Sequence, residues 1–306
     1  MPGKKNQSRS ALPLGALWLL LLLAAHCTLP AHAQQGVLYE KASKFGTIIV
    51  EEPERGTRIL RFEKNGARQS LVRLGDPDYL ALPYTRVTFV GLALCAEPRR
   101  LLVVGLGGGT LPSFLRKYYP DAVIDAVDVD PEVVYVAKTY FGFREDARMH
   151  AHVADGRRFI EQSREPYDAI FLDAFGADSV PPHLTTQEFM QAVRRALRPD
   201  GVVIGNVWGR YLNPLYDSML RTYREVFDEL YVVDVEASLN KIVLALPRKQ
   251  PLARDEFIDR AHRVSTAKGF GFDLGALVDY GYTQARELER EAKVLRDGDG
   301  AGNGKW

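Results

Sequence analysis

Cysteine is almost absent from this chain of 306 residues, which holds only Cys27 and Cys95. Because Cys27 falls in an N-terminal segment that we expect to be removed, Cys95 would be the one cysteine of the mature protein. A lone cysteine forms no intramolecular disulfide and no cysteine-ligated metal site. The acidic residues discussed below have no histidine at metal-ligand spacing, so we expect no metal cofactor.

The sequence also lacks an excess of charge of either sign. It has 40 basic and 39 acidic residues, a formal net charge of +1. Removal of the N-terminal segment takes away three basic residues and no acids, which leaves a balance of 37 against 39, about −2. A near-neutral chain gives no electrostatic reason to expect nucleic acid or an anionic membrane as a partner.

Long apolar runs are missing apart from Ala16–Ala25 (ALWLLLLLAA). This run is too short to span a bilayer comfortably, and it follows three basic residues, Lys4, Lys5 and Arg9. The sequence Ala31-His32-Ala33 fits a signal-peptidase site. We therefore predict that residues 1–33 are a signal peptide and that the mature domain is periplasmic or secreted. The alternative is an uncleaved membrane anchor, the one way in which we expect the membrane to be a partner.

What the chain does contain is a glycine-rich turn in a strand–helix–strand unit. Leu101–Val104 has the composition of a strand buried on both faces, and Gly105, Gly107, Gly108 and Gly109 follow it at once. We expect Thr110 to cap the next helix and Ala122–Val129 to form the second strand. Glycines let a ligand approach the backbone, and the helix N-terminus offers free N–H groups, so the pattern favours a nucleoside ligand. The alternative is that the glycines only allow tight packing of strand and helix.

The rest of the chain predicts an α/β fold with a smaller N-terminal sheet. Val37–Arg73 contains β-rich runs and an Asn65-Gly66 turn, typical of a small antiparallel sheet. From Leu101 onward, strands and helices alternate, which favours a parallel sheet covered on both faces. The predicted strands are Met149–Val153, Tyr167–Leu172, Val202–Val207, Glu229–Val235 and Lys241–Leu246. The predicted helices are Tyr84–Leu94, Pro131–Phe141, Arg157–Gln162, one capped by Thr185, Asn213–Val226, Asp255–Thr266 and Thr283–Arg296.

These predictions divide the chain into five parts. After the signal peptide come an N-terminal β-hairpin domain (34–80), a nucleotide-binding domain (81–250), C-terminal helices (251–296) and a disordered glycine-rich tail (297–306).

Acidic residues follow three successive predicted strands. Asp128, Asp155 (followed by Gly156) and Asp173 stand at the ends of these strands, and Asp178 lies in the loop after the third. In an open parallel sheet the carboxyl ends of the strands share one edge, where ligands bind. Asp128 could accept hydrogen bonds from a ribose and Asp155 from an adenine amino group. Asp173 and Asp178 would then hold a cationic amine and take a proton from its nitrogen.

The sequence resembles the spermidine/spermine synthase (polyamine aminopropyltransferase) family, in a divergent exported form. The resemblance rests on five stretches: VVGLGGGTLPSFL, AVDVDPEVVYVAKTYF, ADGRRFI, YDAIFLDAFGADSVPPHLTTQEF and LRPDGVVIGNVWGRYL. The resemblance implies a Rossmann-like S-adenosylmethionine-dependent methyltransferase fold with a small N-terminal antiparallel β-domain. It also implies that Asp128 binds ribose, Asp155 binds adenine and Asp173 is the general base. Asp178 would be the amine-holding acid and Tyr84 a substrate contact.

The sequence departs from the family pattern at three positions. Gly108 stands where the family has an aspartate that holds the charged tail of decarboxylated S-adenosylmethionine. The family's Tyr-Gln-Glu reads Tyr84-Thr85-Arg86, and Arg86 would repel a polyamine if it faced the site. These changes put the standard pair of substrates in doubt.

Residues near the predicted site allow more than one interpretation. His183 is more often a loop histidine than a catalytic one, and Arg210 either contacts the ligand or anchors its loop. We expect Trp208 and Tyr211 to be packing residues. The resemblance to this family also implies a homodimer, the oligomeric state common among its members.

Three functions remain open from the sequence. The first is aminopropyl transfer from decarboxylated S-adenosylmethionine to a small amine, a step of polyamine biosynthesis. The second is methyl transfer from intact S-adenosylmethionine, for which the missing aspartate would be less of an obstacle. The third is a non-catalytic exported protein that binds a nucleoside or a polyamine.

Overall fold

The computed structural model describes residues 36–176, 180–283 and 291–299, together with residues 1 and 3. The chain from Val37 onward forms one compact unit. The predicted signal peptide lies almost entirely outside the described residues. None of the helices in the described part of the chain is long and apolar enough to cross a membrane.

A four-stranded antiparallel sheet opens the compact unit, as the sequence predicts. Its strands lie in the order of the chain: β1 (Gly36–Ala42), β2 (Thr47–Glu52), β3 (Thr57–Arg61) and β4 (Ser70–Arg73). Asn65, in the predicted turn between β3 and β4, has φ of +59°, the left-handed conformation that asparagine tolerates. This sheet lies over the glycine-rich turn, because the Ser70 side chain accepts a hydrogen bond from the Gly108 N–H.

The second sheet has eight described strands in the order β12-β10-β11-β9-β8-β5-β6-β7. Strands β5 to β9 run parallel to one another, whereas β11 pairs antiparallel with both β9 and β10, and β12 pairs antiparallel with β10. The strands are β5 (Arg100–Val104), β6 (Val123–Asp128), β7 (Met149–Val153), β8 (Tyr167–Leu172), β9 (Leu197–Trp208), β10 (Glu229–Asp234), β11 (Asn240–Leu246) and β12 (Tyr282–Thr283). The α/β class predicted from the alternating pattern is confirmed.

Helices cover both faces of this sheet. They are α1 (Pro83–Thr88), α2 (Thr110–Tyr118), α3 (Pro131–Tyr140), α4 (Gly156–Glu161), α5 (Gln187–Arg195), α6 (Tyr216–Val226), α7 (Arg254–Lys268) and α8 (Leu274–Gly281), with 3-10 turns at Phe89–Leu94 and Pro182–Leu184. Successive residues of a strand point to opposite faces, so Leu101 and Val103 belong to one apolar cluster and Leu102 and Val104 to the other. The unbroken apolar run of β5 is therefore explained by burial on both sides.

Two helix caps differ from the prediction by one residue. Gly109, with φ of +77°, stands at the N-cap of α2, and Thr110 is already helical. The N-cap of α5 is Thr186, whose hydroxyl accepts from the Phe189 N–H, whereas the Thr185 hydroxyl donates to the Pro182 carbonyl. In both places the N-cap is a residue next to the predicted one, with a suitable side chain or backbone conformation. Local sequence does not show which of two such neighbours will be the N-cap.

Other differences lie in the last third of the chain. Strand β9 begins at Leu197, five residues before the predicted strand Val202–Val207, and its pairing with β8 shifts between Tyr167 and Ala169. Helix α8 was not predicted. The predicted helix Thr283–Arg296 is wrong at both ends: Thr283 belongs to β12, and residues 291–296 are not helical. Residues 284–290, between those ends, and residues 300–306 of the predicted disordered tail lie outside the described residues.

The strand order fixes where the site can lie. The carboxyl ends of β9, β8, β5, β6 and β7 follow one another along a single edge of the sheet, and Asp173, Gly105, Asp128 and Asp155 come directly or almost directly after these ends. This edge faces the N-terminal sheet through the Ser70–Gly108 contact.

We expect Gly105→Ala to destabilise the fold more than Gly56→Ala. Both glycines have positive φ, +96° and +84°, so both variants carry backbone strain of roughly 1 kcal/mol. A Cβ at Gly105 would also overlap the carbonyl group of Asp173, with its carbonyl carbon 2.7 Å away, whereas nothing lies within 4 Å of a Cβ at Gly56. Overpacking should cost Gly105→Ala about 1–3 kcal/mol more, measured by urea unfolding. Equal losses would contradict the close approach of the two loops.

Candidate functional site

A cleft opens at the carboxyl edge of the sheet, beneath the N-terminal sheet. It brings together seven of the residues that the sequence predicted for the site: Tyr84, Gly105, Gly107, Asp128, Asp155, Gly156 and Asp173. Phe45, Ile48 and Phe62 of the N-terminal part of the chain form an apolar part of its wall. Gly109 is buried against Phe143 and does not line the cleft, and Asp178 lies outside the described residues.

The glycine-rich turn is shaped by close contacts on both sides. A Cβ at Gly107 would lie 2.6 Å from the Ser70 Oγ, and one at Gly105 would lie 2.7 Å from the carbonyl carbon of Asp173. A Cβ at Gly156, which follows Asp155 at the start of α4, would lie 2.5 Å from the Val104 Cγ1. These positions exclude larger residues, and the backbone of the turn lines the cleft. This arrangement suits a ligand that approaches the main chain closely.

Gly108 explains one departure from the family pattern. Its N–H donates a hydrogen bond to the Ser70 Oγ at 2.8 Å, and a Cβ there would lie 2.7 Å from the Phe141 ring. An aspartate at this position would have to displace Phe141, so the turn of this chain is built around glycine.

Asp128 joins the end of β6 to the glycine-rich turn. Its Oδ2 accepts from the Leu106 N–H and its Oδ1 from the Asp130 N–H, each at 3.0 Å. Burial raises the pKa of Asp128 to about 6, although the two backbone donors oppose that shift. The carboxylate lines the cleft beside Gly105 and Gly107, at a position suited to accept hydrogen bonds from ribose hydroxyls.

Asp155 is held on both of its oxygens. Its Oδ1 accepts from the Arg158 N–H at 2.9 Å, which makes it the N-cap of α4, and its Oδ2 is 2.7 Å from the His183 Nε2. The His183 contact is the main reason that the pKa of Asp155 is lowered. His183 therefore lines the cleft as the partner of a predicted site residue, a role that the stretch VPPHL alone does not reveal.

Asp173 is the carboxylate at the end of β8, and two side chains donate to it. Tyr84 Oη lies 3.2 Å from its Oδ2, and Asn206 Nδ2 lies 2.8 Å from its Oδ1. Burial raises the pKa of Asp173 to about 7, with the two donors opposing the shift. A carboxyl group that titrates near neutral pH can accept a proton and release it again, as a general base must.

The amide that orients Asp173 belongs to a short polar chain that the sequence interpretation missed. Asn206 accepts at its Oδ1 from the Asn240 Nδ2 at 2.8 Å, and the Ser238 hydroxyl donates to the Asn240 Oδ1 at 2.6 Å. This chain fixes which end of the Asn206 amide faces Asp173. A sequence signal exists, because Asn206 is a polar residue, 4% exposed, within the apolar strand VVIGNVW.

The described lining of the cleft is acidic. It contains four aspartates, Asp128, Asp130, Asp155 and Asp173, and neither lysine nor arginine. Arg86 is exposed and does not line the cleft, so the repulsion expected of an arginine facing the site does not arise. Such a cleft favours a positively charged ligand.

Three further candidates lie outside the cleft. The Arg210 guanidinium binds the Asp217 carboxylate through two contacts of 2.6 and 2.7 Å, which anchor the loop after β9. Trp208 packs against Phe175, with ring centroids 5.4 Å apart. Tyr211 is 87% exposed, so the prediction that it packs is wrong. Within the ranges that the structure describes, no three His, Cys, Asp or Glu side chains are arranged to hold a metal ion.

Comparison with known sequences gives two kinds of relative. The profile described as the spermine/spermidine synthase domain matches residues 84–236. A polyamine aminopropyltransferase of Vibrio vulnificus is 35% identical over 248 residues, which cover 76% of this chain and 82% of the relative. A human eEF1A lysine and N-terminal methyltransferase is 37% identical over 221 residues, 65% of this chain but only 32% of the relative.

A solved structure agrees with the fold. Human methyltransferase-like protein 13, crystallised in complex with SAH, is 32% identical and superposes with a TM-score of 0.55, covering 69% of this chain and 97% of that one. The Rossmann-like methyltransferase fold implied by the sequence resemblance is thereby confirmed.

We expect Asp173→Asn to stabilise the protein increasingly as the pH rises. The folded pKa of about 7 lies above the usual 3.8, so the wild-type contribution is complete below about pH 4 and is lost as the pH rises through 7. Asparagine keeps the shape but cannot ionise, so the gain should reach the order of 1–3 kcal/mol at pH 8 and vanish near pH 4. Thermal melts of both proteins across this range measure it, and a pH-independent difference would contradict the raised pKa.

Proposed function

Since this chain belongs to the spermine/spermidine synthase family and is an alkyl-group transferase, we propose that it transfers an aminopropyl group. The donor in this proposal is decarboxylated S-adenosylmethionine, and the acceptor is a small amine. The observation that carries the proposal is Asp173, a carboxyl group with a pKa of about 7 that Tyr84 and Asn206 orient within an acidic cleft.

The strand ends suggest how the donor lies. Asp128 would accept hydrogen bonds from the ribose hydroxyls, and the wall formed by Asp155 and His183 would contact the adenine. The backbone of the glycine-rich turn would lie along the sugar and the sulfonium. This placement directs the sulfonium toward β8, because β5 lies between β6 and β8 in the sheet.

In the proposed reaction the acceptor nitrogen attacks the propyl carbon beside the sulfonium sulfur. A C–N bond forms with the nitrogen lone pair while the C–S bond breaks, and its electrons go to sulfur to give neutral methylthioadenosine. The nitrogen loses its proton to Asp173. Catalysis would come from positioning the two reactants and from carboxylates that stabilise positive charge, with Asp178 as the proposed second contact to the amine.

The charge of the cleft supports this pairing of substrates. The sulfonium is a permanent cation, and the tail amine of the donor and the acceptor amine are cations when protonated. The described lining offers four carboxylates and no lysine or arginine to repel them. Intact S-adenosylmethionine would bring a carboxylate that finds no such cation in the described lining.

Methyl transfer is the second candidate, and Gly108 is the observation that favours it. The donor tail of an aminopropyltransferase would meet the neutral groups Ser70 and Phe141 there, where the resemblance calls for an aspartate. The human relative and the SAH-bound neighbour are methyltransferases.

The products separate the two candidates. The purified protein would be incubated with an amine mixture and either donor, and the nucleoside product identified by mass spectrometry. Methylthioadenosine from the decarboxylated donor supports aminopropyl transfer, whereas S-adenosylhomocysteine from the intact donor supports methyl transfer. Binding of either donor without a thioether product would instead support the third hypothesis, a non-catalytic binding protein.

We expect Asp173→Asn to lower turnover by about 10²–10⁴-fold and to leave donor binding within about twofold of wild type, because only the proton acceptor is lost. Asp168→Asn is the matched control. Asp168 lies on the same strand but binds the N–H groups of Arg99 and Arg100, outside the cleft, so its turnover should be unchanged. Unchanged turnover in Asp173→Asn would remove Asp173 from the mechanism.

Export remains part of the proposal, on the sequence of residues 1–33. In a host with signal peptidase, the exported chain should begin at Gln34, and Ala33→Leu should block this cleavage. N-terminal peptide mapping of the membrane, cytosolic and exported fractions measures where the wild-type chain begins and whether the variant is cleaved. A full-length wild-type chain in the membrane fraction would indicate the anchored alternative, and a full-length chain in the cytosol would contradict export.

A further inference from the structure

The C-terminal strap, residues 291–299, runs along α6 and contacts the start of α5. Its backbone is held by side chains of α6, where Lys293 N–H donates to Ser218 Oγ at 3.1 Å and Leu295 N–H to Thr222 Oγ1 at 2.9 Å. The Leu295 carbonyl accepts from the Gln187 N–H at 2.7 Å, at the start of α5. Leu295 also packs against the apolar cluster on this face of the sheet.

Near its end the strap forms an ion pair with a residue of α4. Both carboxylate oxygens of Asp297 bind the Arg157 guanidinium, at 2.6 and 2.8 Å, and the Asp297 N–H donates to the Glu188 carboxylate at 2.9 Å. Bidentate pairing fixes the orientation of the guanidinium plane as well as its position. Arg157 stands in the first turn of α4, directly after Asp155 and Gly156.

Arg157 links the strap to His183. Its Nη1 is 3.5 Å from the His183 carbonyl oxygen, while the His183 ring contacts the Asp155 carboxylate at 2.7 Å. The connection therefore runs from Asp297 through Arg157 and His183 to Asp155. Its last two members line the cleft, and its first two do not.

We propose that Arg157 and Asp297 are positioning residues for the donor: the C-terminal strap holds His183 against Asp155 and so preorganises the adenine end of the cleft. The inference rests on the proposed function for the identity of the ligand. Its physical basis is that a wall already fixed in place loses less conformational freedom when the donor binds.

The sequence could not reveal this arrangement. Asp297 lies 140 residues from Arg157 and falls in a glycine-rich tail that sequence composition predicts to be disordered. Only the path of the strap over α6 and α5 brings the two charges together.

The test compares Asp297→Asn with the wild-type full-length chain, and with Asp297→Glu, which keeps the carboxylate. Asp228→Asn is the matched control, because it breaks a similar pair with Arg194 (2.8 Å) away from the cleft. Calorimetry with methylthioadenosine, the nucleoside product of the proposed reaction, should show affinity about fivefold weaker in Asp297→Asn, partly restored in Asp297→Glu and unchanged in Asp228→Asn. Where turnover is measured, the KM for the donor should rise while that for the amine stays constant.

A second measurement needs no ligand. Hydrogen exchange at the amides of Leu184 and Thr185, which bond to the Pro181 and Pro182 carbonyls, should accelerate in Asp297→Asn and not in Asp228→Asn. If the wild-type chain binds no adenosyl ligand, the proposed function fails. Hydrogen exchange would still test whether the strap holds the segment around His183 in place. Unchanged exchange together with unchanged affinity in Asp297→Asn would overturn the inference.

Discussion

The structure depends on holding one carboxylate, Asp173, partly out of water at the end of β8. A carboxyl group in such a place needs donors or a proton, and it has both: Tyr84 and Asn206 donate to it, and its pKa rises to about 7. The two donors come from different parts of the fold, the helix that follows the N-terminal sheet and the strand next to β8. Helix α1 and strand β9 of the central sheet are thus tied to the group that we propose as the general base.

The same edge explains the glycines. The turn after β5 passes so close to the backbone of Asp173 that a side chain at Gly105 would overlap its carbonyl, and Ser70 presses on Gly107 and Gly108 from the other side. The turn is therefore enclosed between β8 and the N-terminal sheet. Its amides are kept at the floor of the cleft by packing, and Asp128 holds the Leu106 N–H in place from β6. Ligand binding and close packing are two consequences of the same glycines.

The sequence was sufficient for what depends on local pattern, and insufficient for what depends on contacts between distant segments. Apolar runs ending in Asp128 and Asp173 predicted strands, their order of alternation predicted a parallel sheet, and a parallel sheet brings strand ends together. Asn206 and His183 act through partners 33 and 28 residues away, which no local pattern encodes. The Thr283–Arg296 helix was predicted from composition, but residues 291–296 are not helical, because Ser218, Thr222 and Gln187 bond to backbone groups of Lys293 and Leu295.

Two departures from the family pattern, Arg86 and Gly108, no longer count equally against the family's standard substrates. Arg86 counted against a cationic substrate only if it faced the site, and it is exposed outside the cleft, so that objection disappears. Gly108 retains its weight, because Phe141 occupies the space that an acidic side chain would need and Ser70 takes the N–H. The acid that is missing from the turn is therefore replaced by packing and not by another charge. In the proposed reaction the donor would meet neutral groups at its tail and aspartates around its sulfonium, so selectivity between donors would arise at the tail and catalysis at Asp173.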